Sequence, residues 1–213
     1  PDAAIGIPEL EVGFWSERGA FPAPALLPPP RFGRLVLSKA RLYEQLAGSG
    51  FVPAFRIADR EELLSGTCGG PWPMWLRDSS EGTSSGKGSL LARSSEEGQG
   101  WARLNPDVDR FMLAEYLPGR NYACHLLFHR GDVAKTASYE RLEYFMARAA
   151  PSGVTGNICK GRLVRDERLE RIAEAAVRRV ADATGEELNG MLAVDLKEDA
   201  DGASVRPEAS RSA

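Results

Sequence analysis

The run Ser79-Ser80-Glu81-Gly82-Thr83-Ser84-Ser85-Gly86-Lys87-Gly88-Ser89 surrounds one lysine with glycines and small hydroxylated residues. Successive backbone N–H groups in such a segment form a cradle for an anion, glycine lets the main chain approach closely, and lysine neutralises charge. The chemistry indicated is phosphate binding, with a nucleotide as the ligand. A Walker A loop needs glycine five positions before the Gly-Lys pair and Ser or Thr directly after the lysine. Glu81 and Gly88 stand at those positions. A different phosphate loop and a flexible Gly/Ser linker are the two readings that remain.

Three cations and two carboxylates elsewhere suit the same chemistry. Lys39 opens a helix, Arg77 ends the strand that runs into the Gly-rich loop, and Arg141 follows a further strand. Asp195 closes an apolar strand, and Glu208 lies beyond the turn at Gly202. Magnesium that bridges nucleotide phosphates takes one or two carboxylates together with phosphate oxygens and water. Taken singly, each residue also has a plain structural reading. Lys39 is a solvated helix-start lysine, Arg77 a strand-end cation, Arg141 a salt-bridge partner of a nearby carboxylate, and Glu208 a tail carboxylate. His125 and His129 share a strand face, but no third ligand lies near them, so a metal pair there is not favoured.

The elements that must position these groups are legible from periodicity. Ser38 to Ala47 has a Ser cap and helical apolar spacing ending at Gly48, and Leu169 to Thr184 is amphipathic with Gly185 as its stop. Strands are expected at Phe51 to Ile57, Trp72 to Arg77, Leu90 to Ala92, Arg110 to Leu117, Asn121 to His129, Val133 to Tyr139 and Met191 to Leu196, with a short helix at Arg60 to Leu64. The first thirty-odd residues, with Pro22, Pro24 and Pro28-Pro29-Pro30, read as a loop. Interleaving without regular βαβ repetition favours an α+β fold.

Composition bounds the function. Hydrophobic residues are 43% and charged residues 27% of the 213, which is ordinary for a globular chain. A formal net charge of -3 argues against nucleic acid and for metabolite partners. Cys68, Cys124 and Cys159 are odd in number and lack CxxC spacing, so neither a disulfide framework nor a zinc knuckle is supported. No apolar run reaches membrane-spanning length, and a cytoplasmic setting is expected. Pro1 stands where an initiator Met would, so a fragment is expected.

These pieces occur in an order that resembles the ATP-grasp superfamily, in particular the carbamoyl-phosphate synthase large subunit and biotin carboxylase type, over roughly Val36 to Glu208. The resemblance implies two α+β subdomains with the nucleotide cleft between them. Residues 37–110 form the first with its Gly-rich loop, residues 111–213 form the second, incomplete at its end, and residues 1–36 are a loop-rich remnant of a preceding domain. It implies that Lys39 and Arg77 hold phosphates, Arg77 replacing the usual lysine. Gly82, Thr83, Ser84, Ser85, Gly86, Lys87 and Gly88 become a flap over the phosphates, and Arg141 a contact to phosphate or acylphosphate. The segment Leu113-Ala114-Glu115-Tyr116-Leu117-Pro118-Gly119 is similar to the family's hinge, where the Glu115 carbonyl and the Leu117 N–H read adenine, and Asn121 contacts ribose. Ser152 to Asn157 and Leu188-Asn189-Gly190 are similar to further family segments. Asp195 and Glu208 are the implied metal pair, with Ser210 where the family has asparagine.

The implied activity is an ATP- and Mg²⁺-dependent ligase, with Mn²⁺ as the substitute ion, that activates a carboxylate as an acylphosphate for attack by an amine or similar nucleophile. A homo-oligomer is compatible with it. A nucleotide-binding but inactive fragment and an interaction module with a Gly/Ser linker are the alternatives. Losing a charge-assisted phosphate contact costs about 2–3 kcal/mol, roughly 30- to 150-fold in affinity. Lys39→Ala is therefore expected to weaken ATP binding by that factor in calorimetric titration, and equal affinities would remove Lys39 from the site.

Overall fold

The computed structural model describes residues 4–5, 9–19, 25–79, 89–150, 153–154, 157–202 and 204–212. In chain order the N-terminal part contains β1 (Ala4–Ile5), α1 (Glu9–Arg18), β2 (Ala25–Leu26), α2 (Pro30–Val36) and α3 (Lys39–Gln45). There follow β3 (Phe55–Asp59), α4 (Arg60–Ser65), β4 (Met74–Asp78), β5 (Ser89–Ala92), α5 (Ser95–Leu104) and β6 (Arg110–Glu115). The remainder is β7 (Asn121–His129), β8 (Asp132–Tyr144), β9 (Ile158–Val164), α6 (Glu167–Thr184), β10 (Gly190–Glu198) and β11 (Val205–Ser212). The fold is α+β, as the sequence suggests.

Strand alternation sets the layers. The five-stranded sheet runs β11-β10-β7-β8-β9, with every neighbour antiparallel. Tyr122, Cys124, Leu126 and Phe128 of β7 and Leu192, Val194 and Leu196 of β10 form its core face, packed on Leu169, Ala173, Val177 and Val180 of α6. Phe32 and Val36 of α2, Leu42 of α3 and Leu46 just after it complete that core. The intervening residues Asn121, Ala123 and His125, with Asp195 and Lys197, point to the opposite face.

The four-stranded sheet has the order β3-β6-β4-β5. Met74, Leu76, Phe111 and Leu113 pack against Leu63 of α4 and Ala102 of α5. Trp75, Met112 and Ala114 make a separate cluster on its other face with Tyr43 of α3. Because β6 pairs with β3 and β4, this sheet extends to Glu115, past the expected boundary at Arg110.

Several expectations are corrected. The N-terminal segment contains two helices where a loop was read, because its prolines sit ahead of α2 or at its first position, where a missing N–H costs nothing. Glu186 caps α2 from far along the chain, its carboxylate accepting from the N–H groups of Arg31 (3.1 Å) and Phe32 (2.8 Å). β11, which the strand reading omits, accommodates Pro207 because it lies at the sheet's edge, and Pro207 pairs with Leu196 beside a bulge. β8 runs on to Tyr144, while β3 starts only at Phe55.

Chain passes from one sheet to the other through Tyr116-Leu117-Pro118-Gly119-Arg120. Gly119 N–H donates to the Glu198 carbonyl at 3.1 Å. A Cβ added to Gly119 would lie against the Asp199 carbonyl oxygen and within 2.6 Å of Glu198 Cβ. Backbone cannot yield there as a flexible side chain would. Gly119→Ala should therefore cost about 1–3 kcal/mol of stability, read as a lowered denaturation midpoint, whereas the same change at Gly100, with open space around it, should not lower it.

Candidate functional site

A narrow crevice lies between the two sheets, and Arg77, Glu115, Leu117 and Lys197 line it together with Tyr43 and Trp75. Three of these residues are expected from the sequence and come from separate elements. Arg77 lies on β4, only 8% exposed, with its guanidinium 5.6 Å above the Trp75 ring. It pairs across β5 with Ser89, so the stems of the Gly-rich loop leave the sheet beside its guanidinium. Gly82, Thr83, Ser84, Ser85, Gly86, Lys87 and Gly88 lie outside the described residues, as do Ser152, Thr155 and Gly156.

Lys39 is the first residue of α3, behind the cap Ser38, whose hydroxyl accepts from Arg41 N–H at 3.4 Å. It is half-buried one turn before Tyr43, on the helix face that carries Tyr43 to the crevice. Leu117 is buried, and Tyr116 packs on Trp75 with ring centroids 6.3 Å apart. The Glu115 carboxylate faces elsewhere than the crevice alone: it accepts from Arg206 at 3.0 Å and from Ala54 N–H at 3.2 Å. Its side chain ties β11 to the hinge. A wider hollow lined by Trp15, Pro28, Pro29, Pro30, His129 and Arg130 shares none of these residues.

Asp195 and Arg141 meet on the cleft face of the five-stranded sheet. Arg141 Nη2 donates to Asp195 Oδ1, and the two side chains are 10% and 8% exposed. Arg141 reaches Asp195 over β7, where Ala123, paired with both Asp195 and Tyr139, interposes only a methyl group. Asn121 pairs with Lys197. Glu208 is the extra residue of the bulge, because Asp195 pairs with Ala209 and Leu196 with Pro207. Its backbone therefore lies next to Asp195, while its side chain lies outside the described residues. Among the described residues no three His, Cys, Asp or Glu side chains converge. His125 Nε2 stands 3.3 Å from the Tyr139 hydroxyl. Burial lowers its pKa against the charge of Asp195, which keeps the imidazole neutral.

Neither a protein-family model nor a curated protein matches this sequence. Solved structures do. Phosphoribosylamine–glycine ligase of Thermotoga maritima superposes with a TM-score of 0.73 at 19% identity, over 100% of this chain and 55% of that one. D-alanine–D-alanine ligase of Coxiella burnetii gives 0.67 at 16% identity, over 99% and 58%. N5-carboxyaminoimidazole synthase of Aspergillus clavatus, solved with ADP and 5-aminoimidazole ribonucleotide, gives 0.67 at 13%, over 94% and 50%. The chain has the ATP-grasp fold. It spans between half and three fifths of the length of these ATP-grasp structures, and among the described residues no helix is long and apolar enough to cross a membrane.

Two buried charged residues of β10, one on each face of the sheet, are not singled out by the sequence. Lys197 is 9% exposed and its Nζ donates to the Gly119 carbonyl at 2.6 Å. Its signal was the i, i+2 relation to Asp195, which places both on one face of β10. Glu198, on the core face, accepts from Arg120 Nε at 2.8 Å, from the Tyr122 hydroxyl at 3.2 Å and from Arg168 at 3.2 Å. Burial alone would raise its pKa, yet Arg120 and the Tyr122 hydroxyl more than offset this and hold it below the usual glutamate value.

A carboxyl depressed in the folded state contributes stability at neutral pH that is lost as pH falls from the ordinary glutamate range, about 4.3, through the lower folded value. Glu198→Gln should therefore lower stability at pH 7 and flatten its decline on acidification below pH ~5. Parallel acid limbs for the two proteins in pH-dependent denaturation would show that the Arg120 pair contributes nothing.

Proposed function

We propose that this chain is the nucleotide-binding portion of an ATP- and magnesium-dependent ligase that activates a carboxylate as an acylphosphate for attack by an amine. The observation that carries the reading is the convergence of Arg77, Glu115 and Leu117 on one crevice between the two sheets of an ATP-grasp fold. The structural likeness to D-alanine–D-alanine ligase of Coxiella burnetii supports the general class.

In this reading the Glu115 carbonyl and Leu117 N–H hold adenine, and Asn121 meets the ribose. Arg77, Lys39 and the loop around Lys87 hold the phosphates. Phosphoryl transfer calls for positioning and charge neutralisation more than for a protein nucleophile. Asp195 and Glu208 supply one or two carboxylates, the number a phosphate-bridging magnesium accepts. That donor set suits an ion arriving with the nucleotide, which would neutralise phosphate charge. Arg141, paired with Asp195, contacts the phosphate or acylphosphate in this reading. The likeness to carbamoyl-phosphate synthase and biotin carboxylase rests on motif order alone.

A second reading is a nucleotide binder without turnover. Ser210 in place of asparagine and the guanidinium held on Asp195 favour it. Calorimetry with ATP and magnesium, followed by ADP release over a panel of carboxylates and amines, decides between them. Binding with substrate-dependent ADP release supports the ligase, and binding without it supports the second reading. In either case Asp195→Asn should abolish the magnesium-dependent increment in ATP affinity. An absence of ATP binding would leave the linker reading of the Gly-rich loop standing.

A further inference from the structure

We infer that Tyr139 and His125 form the acceptor subsite of the cleft and take the proton that the attacking amine sheds. The inference rests on the ligase reading and deepens it. In that reading Asn121 meets the ribose, and Ala123, two residues on along the same face of β7, is level with Asp195 at the phosphates. His125 comes next on that face. Each such step is about 7 Å along a strand, so His125 stands past the phosphates, on the side from which an acceptor approaches for in-line transfer. Tyr139, paired with Ala123 from the other side, turns its hydroxyl to within 3.3 Å of His125 Nε2, and the two rings stack with centroids 5.5 Å apart. Both side chains are half-buried, and Leu163, paired with Tyr139 and 83% exposed, gives the subsite an apolar edge.

An amine that becomes an amide must lose a proton. Arg141, which contacts the acylphosphate in the ligase reading, lies two residues from Tyr139 on the same face of β8, so the acyl carbon and the Tyr139 hydroxyl are brought to one place. As the nitrogen bonds to the acyl carbon, the C–O bond to phosphate breaks and phosphate leaves with the electron pair. The nitrogen's proton passes to the Tyr139 oxygen while the Tyr139 hydroxyl proton passes to His125 Nε2, and the imidazolium then releases it to solvent. Burial lowers the His125 pKa, against the charge of Asp195 on β10 and together with that of Arg141 on β8, so the imidazole starts neutral and able to accept. Among the described residues, the neighbouring positions of β8 and β10 on this face add only Tyr139 and the exposed Lys135 as titratable groups.

The test compares two nucleophiles. Hydroxylamine is weakly basic and its adduct gives up a proton to water unaided, whereas the adduct of an alkylamine needs a base. ADP release is measured with ATP, magnesium and a panel of carboxylates, in the presence of primary amines or of hydroxylamine, for wild type, Tyr139→Phe and His125→Gln, with thermal denaturation establishing that all three are folded. Each variant is expected to slow amine-dependent release about a hundredfold and to leave hydroxylamine-dependent release, read also as hydroxamate, near the wild-type rate. Equal losses with both nucleophiles or no loss with either, in either variant, would overturn the assignment while leaving the ligase reading intact. So would a wild type that uses hydroxylamine but no amine. A wild type that releases no ADP with any nucleophile would overturn the ligase reading, and the assignment with it.

Discussion

A carboxylate as buried as that of Asp195 is tolerable only with a partner, since desolvating an unpaired charge costs several kcal/mol. Arg141 is that partner, and its reach across β7 imposes the surrounding pattern. The residue beneath the guanidinium must be small, and Ala123 is. The strands on either side must stay in register, because a slip of one residue would turn Asp195 into the apolar core and Val194 into the cleft. The packing of Val194 and Leu196 on α6 fixes that register from the other side. Core and cleft are thus two consequences of one alternation along β10.

The hinge obeys a related constraint. Glu198 continues the same strand but faces the core, where Arg120, Tyr122 and Arg168 share its oxygens. Through Arg120 it anchors the end of the segment that joins the sheets, and through its main chain it touches Gly119. One strand therefore presents Asp195 and Lys197 to the cleft while its next residue pins the connection that lines the same cleft. Motion of the two sheets relative to each other has to be absorbed in Tyr116, Leu117 and Pro118, the part of the connection ahead of the anchor.

What the sequence discloses follows from how local the determinants are. The helix Leu169 to Thr184 and the strand around Met191 to Leu196 are legible because each buries one face with its own periodicity. β9 is not, since it lies at a sheet edge with Cys159 to Leu163 exposed, leaving no alternation to detect. α5 is obscured by Gly98 and Gly100, although Ser94 caps it by accepting from Glu97 N–H. Arg77 and Leu117 are recognisable from motif order, whereas the burial of Lys197 depends on a second sheet closing over it. The Arg141–Asp195 pair spans 54 residues of sequence, and no local pattern encodes such a contact. Asp195 is readable as a chemical group, but its partner is readable only in three dimensions.

The same division explains where specificity resides. In the proposed ligase, Arg77 and the main-chain groups at the hinge would recognise features shared by all adenine nucleotides, and β4 holds Arg77 in place. The cleft floor farther along the sheet, at His125, Tyr139 and Leu163, is more open, with Leu163 83% exposed. In the proposed ligase, an apolar residue there, beside a hydroxyl and an imidazole that burial keeps neutral, would distinguish substrates by shape and hydrogen bonding more than by charge. On that reading the nucleotide is held by groups fixed in the strands and the hinge, while discrimination among acceptors falls to a surface whose side chains can change without disturbing either core.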